Sequence, residues 1–274
     1  MAFNLYSLEN KTILVTGASS GIGRGIAVLC AKMGGKIILN GRNLIKLQET
    51  RALLEGEEHY IVVGDLTLNE ELHRVVDELP QLDGVVHCAG IGQRVLCKLI
   101  TEEEIDRVMR INFKAPVMLQ SLLLKQKKIN KSASIVFITS IASESPSYGN
   151  ALYSASKGAL ISYANCLGLE LSHKKVRVNC ISPAMVMTDL IYEGGITEEQ
   201  LKEDEKKYPL KRYYANEIPP KIMKCIWKLS NTKNAIVRGG LAFIFLFKKN
   251  DYKLKDIDML SFIDNEKFFI EIFI

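Results

Sequence analysis

The chain has 274 residues, 47% of them hydrophobic, and its formal net charge at pH 7 is +5. This length and apolar share favour one large α/β domain with a sizeable core over two small domains. Lysines and arginines are mixed with acids along most of the sequence, whereas a nucleic-acid-binding protein concentrates them on one face. Composition and charge therefore argue against a nucleic-acid partner.

Residues 1–10 lack the basic start and apolar run of a secretion signal, and no apolar stretch reaches membrane-spanning length. The six cysteines form no C-x-x-C pair, and most of them fall inside apolar patterns. Such cysteines are typical of reduced core thiols, and they lack the ligand spacing of a zinc site. We therefore expect a cytoplasmic protein that binds no metal and no membrane.

A short apolar strand, residues 12–16, runs into a glycine-rich loop, residues 17–23, and an apolar helical pattern follows. Strand, glycine loop and helix in this order are typical of a dinucleotide-binding site. Gly17 permits a tight turn, Gly21 allows a pyrophosphate to approach the backbone, and Gly23 lets the helix pack on the sheet. The N–H groups and the dipole of the helix start then face the anion.

The letters of Gly17–Gly21 also match G-x-S-x-G, the nucleophile elbow of serine hydrolases. That enzyme needs an acid and then a histidine downstream. The last of the four histidines is His173, which lies beside two lysines at the expected end of a helix. The sequence therefore favours the dinucleotide loop.

The second predicted strand, residues 36–40, ends without the acidic residue that usually binds the ribose 2′-hydroxyl in NAD sites. Arg42 follows this strand, and a guanidinium beside the ribose pairs with the 2′-phosphate of NADP. The alternative is an exposed arginine at a helix start. The pattern predicts NADP(H) as the preferred cofactor, with NAD(H) as the second choice.

The next helix is polar, with four leucines predicted as its apolar face: Leu44, Leu47, Leu53 and Leu54. A third strand, residues 60–64, is followed by Asp65 and Leu66. Asp65 either caps the following helix or borders the adenine, and both roles are compatible. The fourth strand, residues 84–88, ends in Ala89–Gly90, which predicts a second close approach of backbone to ligand.

Strand and helix patterns alternate along the chain, which predicts a parallel sheet covered by helices on both faces. Right-handed crossovers make this a doubly wound, Rossmann-type α/β fold. Ligands of such sheets bind outside the carboxyl ends of the strands. Both the glycine loop and Ala89–Gly90 follow strand ends, so we expect one site at that edge.

Thr101–Glu104 is a capping box that begins a long helical region containing Asn112, and the fifth strand, residues 134–139, leads to Ser140. Tyr153 and Lys157 are four residues apart and share one helix face. A phenol ionises near pH ~10, and a neighbouring ammonium lowers the pKa of that phenol. Tyr153 is then suited to acid–base work on a carbonyl or alcohol oxygen, to which Ser140 hydrogen-bonds.

The sixth strand, residues 176–181, ends in residues 182–188, which we expect over the nicotinamide, with Thr188 bonded to its carboxamide. Together the motifs resemble the short-chain dehydrogenase/reductase family, and particularly its 3-oxoacyl-carrier-protein reductases. Thr16–Gly23 matches the family's T-G-x-x-x-G-I-G loop. The other matches follow in the family's order: Asp65, Ala89–Gly90, Asn112, Ser140, Tyr153, Lys157, Asn179–Pro183 and Thr188.

The resemblance implies a catalytic tetrad and direct hydride transfer without a metal. Tyr153 is the acid–base, and Lys157 lowers the pKa of Tyr153 and binds the ribose. Ser140 orients the substrate, and Asn112 holds a water in a proton relay. The implied cofactor-binding residues are Gly17, Ser19, Ser20, Gly21, Ile22, Gly23, Arg42, Asp65, Leu66, Ala89, Gly90, Tyr153, Lys157, Pro183, Val186 and Thr188. The family also implies a homodimer or homotetramer.

Two residues depart from the family pattern: Cys88 stands where an asparagine precedes Ala-Gly, and Ala184 stands where a glycine follows the proline. Neither belongs to the tetrad, so we expect activity to survive. We predict a single domain over residues 1–247, with a substrate lid at about 188–214 that includes a capping box at Thr197–Gln200.

A helix is predicted after Pro219–Pro220, and Leu241–Phe247 is predicted as the last strand. The family usually has an Asp-Gly-Gly turn after that strand, but here Lys248–Asn250 follows. Residues 248–274 therefore form an atypical tail, which either packs on a neighbouring subunit or results from a reading frame that has drifted from the ancestral end.

The sequence thus predicts an NADPH-dependent reductase that interconverts a carbonyl and a secondary alcohol, with a 3-oxoacyl substrate as the first hypothesis. Four residues are expected to line a partly apolar pocket: Ile91, Gln93, Met185 and Met187. The alternatives are an NAD-dependent alcohol, steroid or sugar dehydrogenase and a catalytically silent cofactor sensor. Relatives that modify nucleotide sugars usually have a T-G-x-x-G-x-x-G loop, which this chain lacks.

Overall fold

The computed structural model describes residues 7–193, 197–206, 235–238 and 244–246. The described strands are β1 (Thr12–Thr16), β2 (Lys36–Gly41), β3 (Tyr60–Val63), β4 (Leu82–His87), β5 (Ile129–Ile138), β6 (Arg177–Ser182), β7 (Ala235–Arg238) and β8 (Ile244–Leu246). They form one sheet in the order β3-β2-β1-β4-β5-β6-β7-β8. All neighbours pair in parallel except β7 and β8, which pair antiparallel.

The described helices are α1 (Gly21–Lys32), α2 (Leu44–Ala52), α3 (Asn69–Glu78), α4 (Glu102–Met109), α5 (Ala115–Lys125), α6 (Ala151–Leu171), α7 (Asp189–Glu193) and α8 (Glu198–Glu205). Both predicted capping boxes are present, at Thr101–Glu104 and at Thr197–Gln200. In the described ranges, no helix has the length and apolar character needed to cross a membrane.

The alternation of side chains along β1 shows how the sheet acquires two cores. Ile13 and Val15 belong to the apolar cluster that includes α1, whereas Leu14 belongs to the cluster that includes α3 and α5. Phe137 of β5 packs against α6. Strands buried on both faces read as continuous apolar runs, which is why the sequence pattern located β1, β2 and β4 well. The predicted doubly wound α/β fold is confirmed.

Several local predictions were wrong or incomplete. Leu44 is 47% and Leu53 is 54% exposed, so the described α2 buries Leu47 and Thr50 instead of a leucine face. β7 was not predicted, and β8, the last strand within the described residues, runs antiparallel to it. The helix after Pro219–Pro220 and the tail lie outside the described residues.

The region between α4 and α5 was predicted as continuous helix, but Arg110–Lys114 is a π-helical turn. A π turn accommodates one extra residue in a helix and is frequent at functional sites. Asn112 occupies this turn and is completely buried. The turn therefore presents a polar side chain towards the carboxyl edge of the sheet.

Candidate active site

The glycine loop lies against the end of β4. Gly17 has a φ of +66°, and a Cβ added there would be 2.8 Å from the Cα of Ala89. A Cβ on Gly23 would overlap the carbonyl oxygen of Gly17. Thr16 joins the two strands further, because its Oγ1 accepts hydrogen bonds from Cys88 N at 3.0 Å and Ala89 N at 3.2 Å. The two backbone segments thus touch directly at Gly17 and Ala89, and the Thr16 hydroxyl holds them together.

The surroundings of this loop fit a dinucleotide. Gly21 has a φ of +51°, and its added Cβ would be 3.1 Å from Thr188 Cγ2, so residues of the segment after β6 lie over the helix start. A Cβ on Gly90 would lie 3.2 Å from Asn112 Oδ1 and 3.4 Å from Lys157 Nζ. The absence of side chains at Gly21 and Gly90 therefore leaves room between the glycine loop and the predicted catalytic residues Asn112 and Lys157.

Arg42 and Asp65 lie together beyond the ends of β2 and β3. The Arg42 side chain is 70% exposed, and its Nη1 is 3.8 Å from Asp65 Oδ2. Asp65 Oδ1 accepts hydrogen bonds from the N–H and the hydroxyl of Thr67, at 2.9 and 2.7 Å. The residue before α3 is Leu68, so the predicted helix cap at Asp65 is wrong. Leu66 is buried beside this pair.

Tyr153, Ser140 and Lys157 meet at the carboxyl ends of β5 and β6. Ser140 begins the short turn after β5, where its Oγ accepts the Ala142 N–H at 3.1 Å. Burial raises the pKa of Tyr153, and a hydrogen bond with the Ser140 side chain opposes that rise. The phenol of Tyr153 therefore keeps its proton at neutral pH. It is hydrogen-bonded to Ser140, which was predicted to bind the same substrate oxygen as Tyr153.

Lys157 is buried one helical turn after Tyr153. Its Nζ donates a hydrogen bond of 2.9 Å to the Ile138 carbonyl and lies 5.7 Å from the centre of the Tyr153 ring. Burial lowers the pKa of Lys157 to about 8, so the ammonium is mostly charged at pH 7. The pKa of Tyr153 is raised in this structure rather than lowered as expected, because burial of the phenol is the largest influence on it.

Asn112 connects the π turn to two other parts of the site. Its Oδ1 accepts the Ile91 N–H at 2.8 Å, and its Nδ2 donates to the Ile91 carbonyl at 3.0 Å and to Ser156 Oγ at 3.1 Å. Ser156 in turn donates to the Tyr153 carbonyl at 2.7 Å. Sequence reasoning missed Ser156, since a serine inside a helix carries no distinctive pattern.

The segment after β6 is connected to the turn that holds Ser140. The Pro183 carbonyl accepts the Ile141 N–H at 3.1 Å, and the Thr188 carbonyl accepts the Ile191 N–H at 3.1 Å. Val186 lies between these two anchors. The expected pocket residues Met185 and Met187 pack against an apolar cluster formed by Ile191 of α7 and Leu201 of α8. The Gln93 amide donates to Glu104 at 2.8 Å.

The structure thus brings the four predicted catalytic side chains to one edge of the sheet, beside the glycine loop, Ala89–Gly90 and Thr188. A family model described as short chain dehydrogenase matches residues 11–198. A 3-oxoacyl-[acyl-carrier-protein] reductase FabG of Rickettsia felis is 33% identical over 76% of this chain and 86% of that protein. An L-xylulose reductase of Caenorhabditis elegans is 34% identical over 76% of this chain and 84% of that protein.

Solved structures agree with the fold. A dehydrogenase/reductase from Sinorhizobium meliloti 1021 superposes with a TM-score of 0.72 at 26% identity, covering 81% of this chain and 89% of that chain. A 3-ketoacyl-(acyl-carrier-protein) reductase from Brucella melitensis, crystallised with NADH, has a TM-score of 0.69 at 23% identity, covering 78% and 89%. This second likeness concerns the fold alone.

Fold and site together define a Rossmann-type oxidoreductase that acts on a carbonyl/alcohol pair with NAD(P)(H). More particularly, the chain belongs to the short-chain dehydrogenase/reductase family. The family match covers the glycine loop, so it favours the dinucleotide interpretation of residues 17–23 over the serine-hydrolase one.

Proposed function

We propose that this protein is an NADPH-dependent reductase of a carbonyl substrate, with a 3-oxoacyl thioester as the first substrate class. The observation that carries the proposal is the convergence beside Gly90 of the Tyr153 phenol, the Ser140 hydroxyl and the Lys157 ammonium, whose Nζ lies 5.7 Å from the centre of the Tyr153 ring. A protonated phenol is the form that a reductase requires, because reduction of a carbonyl consumes a proton at oxygen.

The nicotinamide of a bound cofactor supplies the hydride for the carbonyl carbon. Ser140 donates a hydrogen bond to the substrate oxygen, which orients the carbonyl and stabilises the negative charge that develops there. Tyr153 donates its phenolic proton to the same oxygen and completes the alcohol. The buried ammonium of Lys157 stabilises the resulting phenolate electrostatically.

The proton is returned to Tyr153 through Lys157 and a water held by Asn112. The Ile138 carbonyl occupies one of the three N–H donors of Lys157, which leaves donors for a ribose hydroxyl and a water. Asn112 Oδ1 uses one lone pair for the Ile91 N–H, and the second lone pair is suited to a water. Asn112 therefore supports both the shape of the site and the relay.

We assign the preference for NADPH over NADH to Arg42. β2 ends without an acid, and the guanidinium of Arg42 is 70% exposed beyond its end. A 2′-phosphate offers this guanidinium a bidentate partner, which is stronger than the 3.8 Å contact with Asp65. NADH lacks that phosphate and therefore binds more weakly.

The substrate class rests on the relatives and on the lining of the site. Several relatives at 31–33% identity are 3-oxoacyl-[acyl-carrier-protein] reductases, and Met185 and Met187 supply apolar surface beside α7 and α8. The L-xylulose reductase at 34% identity supports a sugar ketone as the second candidate. We further propose a homodimer or homotetramer in the cytoplasm, paired through the helices around Asn112 and after Tyr153. We also propose a substrate lid at about residues 188–214, of which residues 194–196 and 207–214 lie outside the described residues.

The cofactor assignment is tested by Arg42→Ala in fluorescence titrations with NADPH and, separately, NADH. We expect the NADPH dissociation constant to rise about tenfold, because a charge-assisted contact is lost, and the NADH constant to stay within about twofold. Arg51→Ala is the matched control, since Arg51 is an exposed arginine near the other end of α2. Equal weakening of both cofactors, or none, contradicts the role of Arg42.

The reaction is tested with acetoacetyl thioesters and L-xylulose, following NADPH oxidation at 340 nm. We expect turnover of the thioester to exceed that of the sugar. Faster turnover of the sugar would move the assignment to the second candidate, and turnover of neither would refute both substrate classes.

A further inference from the structure

Two successive carbonyl groups of the glycine loop are hydrogen-bonded by side chains that lie outside the loop. Thr50 Oγ1, on α2, donates to the Ala18 carbonyl at 2.9 Å. Arg24 Nη2, on α1, donates to the Ser19 carbonyl at 2.6 Å. Thr50 is completely buried, although it lies on the helix that the sequence predicted to be polar. Neither residue belongs to the glycine motif itself.

These two side chains also bind each other. Arg24 Nε donates to Thr50 Oγ1 at 3.0 Å, so the threonine hydroxyl accepts from the guanidinium while it donates its own hydrogen. Arg24 Nη2 additionally forms an ion pair with Glu49 at 3.1 Å. The Lys46 carbonyl, 3.0 Å from Thr50 Oγ1, competes with Ala18 for the hydroxyl hydrogen. Arg24 and Thr50 thus form one connected clamp on the loop.

The clamp determines where the loop's N–H groups point. In a trans peptide the N–H lies opposite the carbonyl of the same peptide unit, and the described chain contains no cis peptide. Holding the Ala18 and Ser19 carbonyls towards α1 and α2 therefore turns the N–H groups of Ser19 and Ser20 the other way. The Gly17 carbonyl is likewise turned inward, against Gly23.

We propose that Arg24 and Thr50 are positioning residues that preorganise the glycine loop for the pyrophosphate of the cofactor. The proposal rests on the proposed use of NADPH or NADH, and it adds two residues to the loop that contacts the dinucleotide. A loop that is already oriented loses less conformational freedom on binding, which strengthens binding without any new contact to the ligand. Removing the clamp loosens the loop and weakens that binding.

The clamp and Arg42 have distinguishable effects. The pyrophosphate is common to NADH and NADPH, whereas the 2′-phosphate belongs to NADPH alone. Loss of the clamp therefore weakens both cofactors by the same factor and leaves their affinity ratio unchanged. Loss of Arg42 changes the ratio. The clamp lies away from the reacting atoms, so turnover at saturating cofactor is preserved when it is removed.

The test is a set of calorimetric titrations of the full chain with NADPH, NADH and ADP-ribose, which contains the pyrophosphate but no nicotinamide. For Thr50→Val and Arg24→Met we expect all three dissociation constants to rise about tenfold, equivalent to about 1.4 kcal/mol. The NADPH:NADH ratio and kcat at saturating cofactor should stay within about twofold of the wild type. Thr50→Ser keeps the hydroxyl and should bind all three ligands as the wild type does.

The matched control is Lys128→Met, because Lys128 Nζ also donates to two backbone carbonyls, those of Asp77 and Leu79, away from the site. Thermal unfolding of each variant shows whether it is folded, and Arg24→Met and Thr50→Ser keep the test decisive if Thr50→Val does not fold. Unchanged dissociation constants in the folded variants, or weakening of NADPH alone, overturn the clamp. Failure of the wild type to bind any of the three ligands instead overturns the proposed cofactor, and the clamp with it.

Discussion

The two halves of the described sheet use different means to build one site. The cofactor half, residues 12–63, places backbone at the edge of the sheet, and Gly17 and Gly21 have positive φ angles there. The catalytic half, residues 82–182, places buried side chains at the same edge, including Lys157 at 5% and Asn112 at 0% exposure. One half thus offers N–H groups and space, and the other offers titratable and amide groups.

This difference teaches that the two halves are sensitive to opposite changes. Adding atoms is expected to damage the cofactor half, because a Cβ on Gly17 or Gly23 would meet neighbouring backbone. Removing atoms is expected to damage the catalytic half, because its proposed chemistry depends on individual hydroxyl, ammonium and amide groups. Side chains in the cofactor half that face inward, such as Thr50, act on backbone carbonyls.

The largest expected effect belongs to the catalytic half. Tyr153→Phe removes the proposed proton donor, and we expect kcat to fall about 10³-fold, within the range for loss of a general acid. The NADPH dissociation constant should stay within about threefold of the wild type, because the cofactor half is unchanged. Steady-state kinetics and a fluorescence titration measure the two quantities.

Tyr163→Phe is the matched control for this variant, since Tyr163 is a phenol on the same helix that packs edge-on against Phe137. Its turnover should remain within about threefold of the wild type. Turnover of Tyr153→Phe at the wild-type rate would refute the acid–base role of Tyr153.

The second-largest expected effect comes from adding a single methyl group to the cofactor half. In Gly23→Ala the new Cβ overlaps the Gly17 carbonyl, so the loop must move. We expect affinity for both NADPH and NADH to fall about 100-fold, as about two charge-assisted hydrogen bonds to the pyrophosphate lose their geometry. Gly168→Ala is the control, because its Cβ would have ordinary contact with Val178 at 3.6 Å. Equal affinity in Gly23→Ala and Gly168→Ala would contradict this account of the loop.

The smallest effect concerns pH and a thiol in the cofactor half. Burial raises the pKa of Cys30 from 9.0 to about 12, so above pH 9 the unfolded chain loses this proton while the folded protein keeps it. Stability from this group is complete below pH 9 and is lost as pH rises from 9 towards 12. When the pH is raised from 8 to 10, the free energy of unfolding of the wild type should therefore fall by about 1.4 kcal/mol more than that of Cys30→Ala.

Lys157 in the catalytic half contributes with the opposite sign. Burial lowers the pKa of Lys157 from 10.5 to about 8, so the unfolded chain binds more protons between these values and stability rises with pH there. Urea unfolding of wild type and Cys30→Ala at pH 8 and pH 10 isolates the thiol, since Lys157 is common to both proteins. Equal falls in the free energy of unfolding of the two proteins would show that Cys30 does not retain its proton.

The sequence by itself determined the elements whose pattern is local. Residues 12–16 were predicted as the first strand and are β1, because a strand buried on both faces is a continuous apolar run. The capping box at Thr101–Glu104 was equally readable, since both of its hydrogen bonds join residues three apart. The residues gathered at the sheet edge were predicted from motifs, because every βα connection of a parallel sheet opens at that edge.

Only the tertiary structure decided the features that depend on contacts distant in sequence. Arg24 and Thr50 reach the glycine loop from two helices. The π turn places the Asn112 side chain so that it hydrogen-bonds to Ile91, 21 residues away. The direction of the Tyr153 pKa shift depended on burial, which no spacing of Tyr153 and Lys157 reveals. The packing of the chain determines which side chains hydrogen-bond between helices and which are desolvated, so a local sequence pattern does not predict these features.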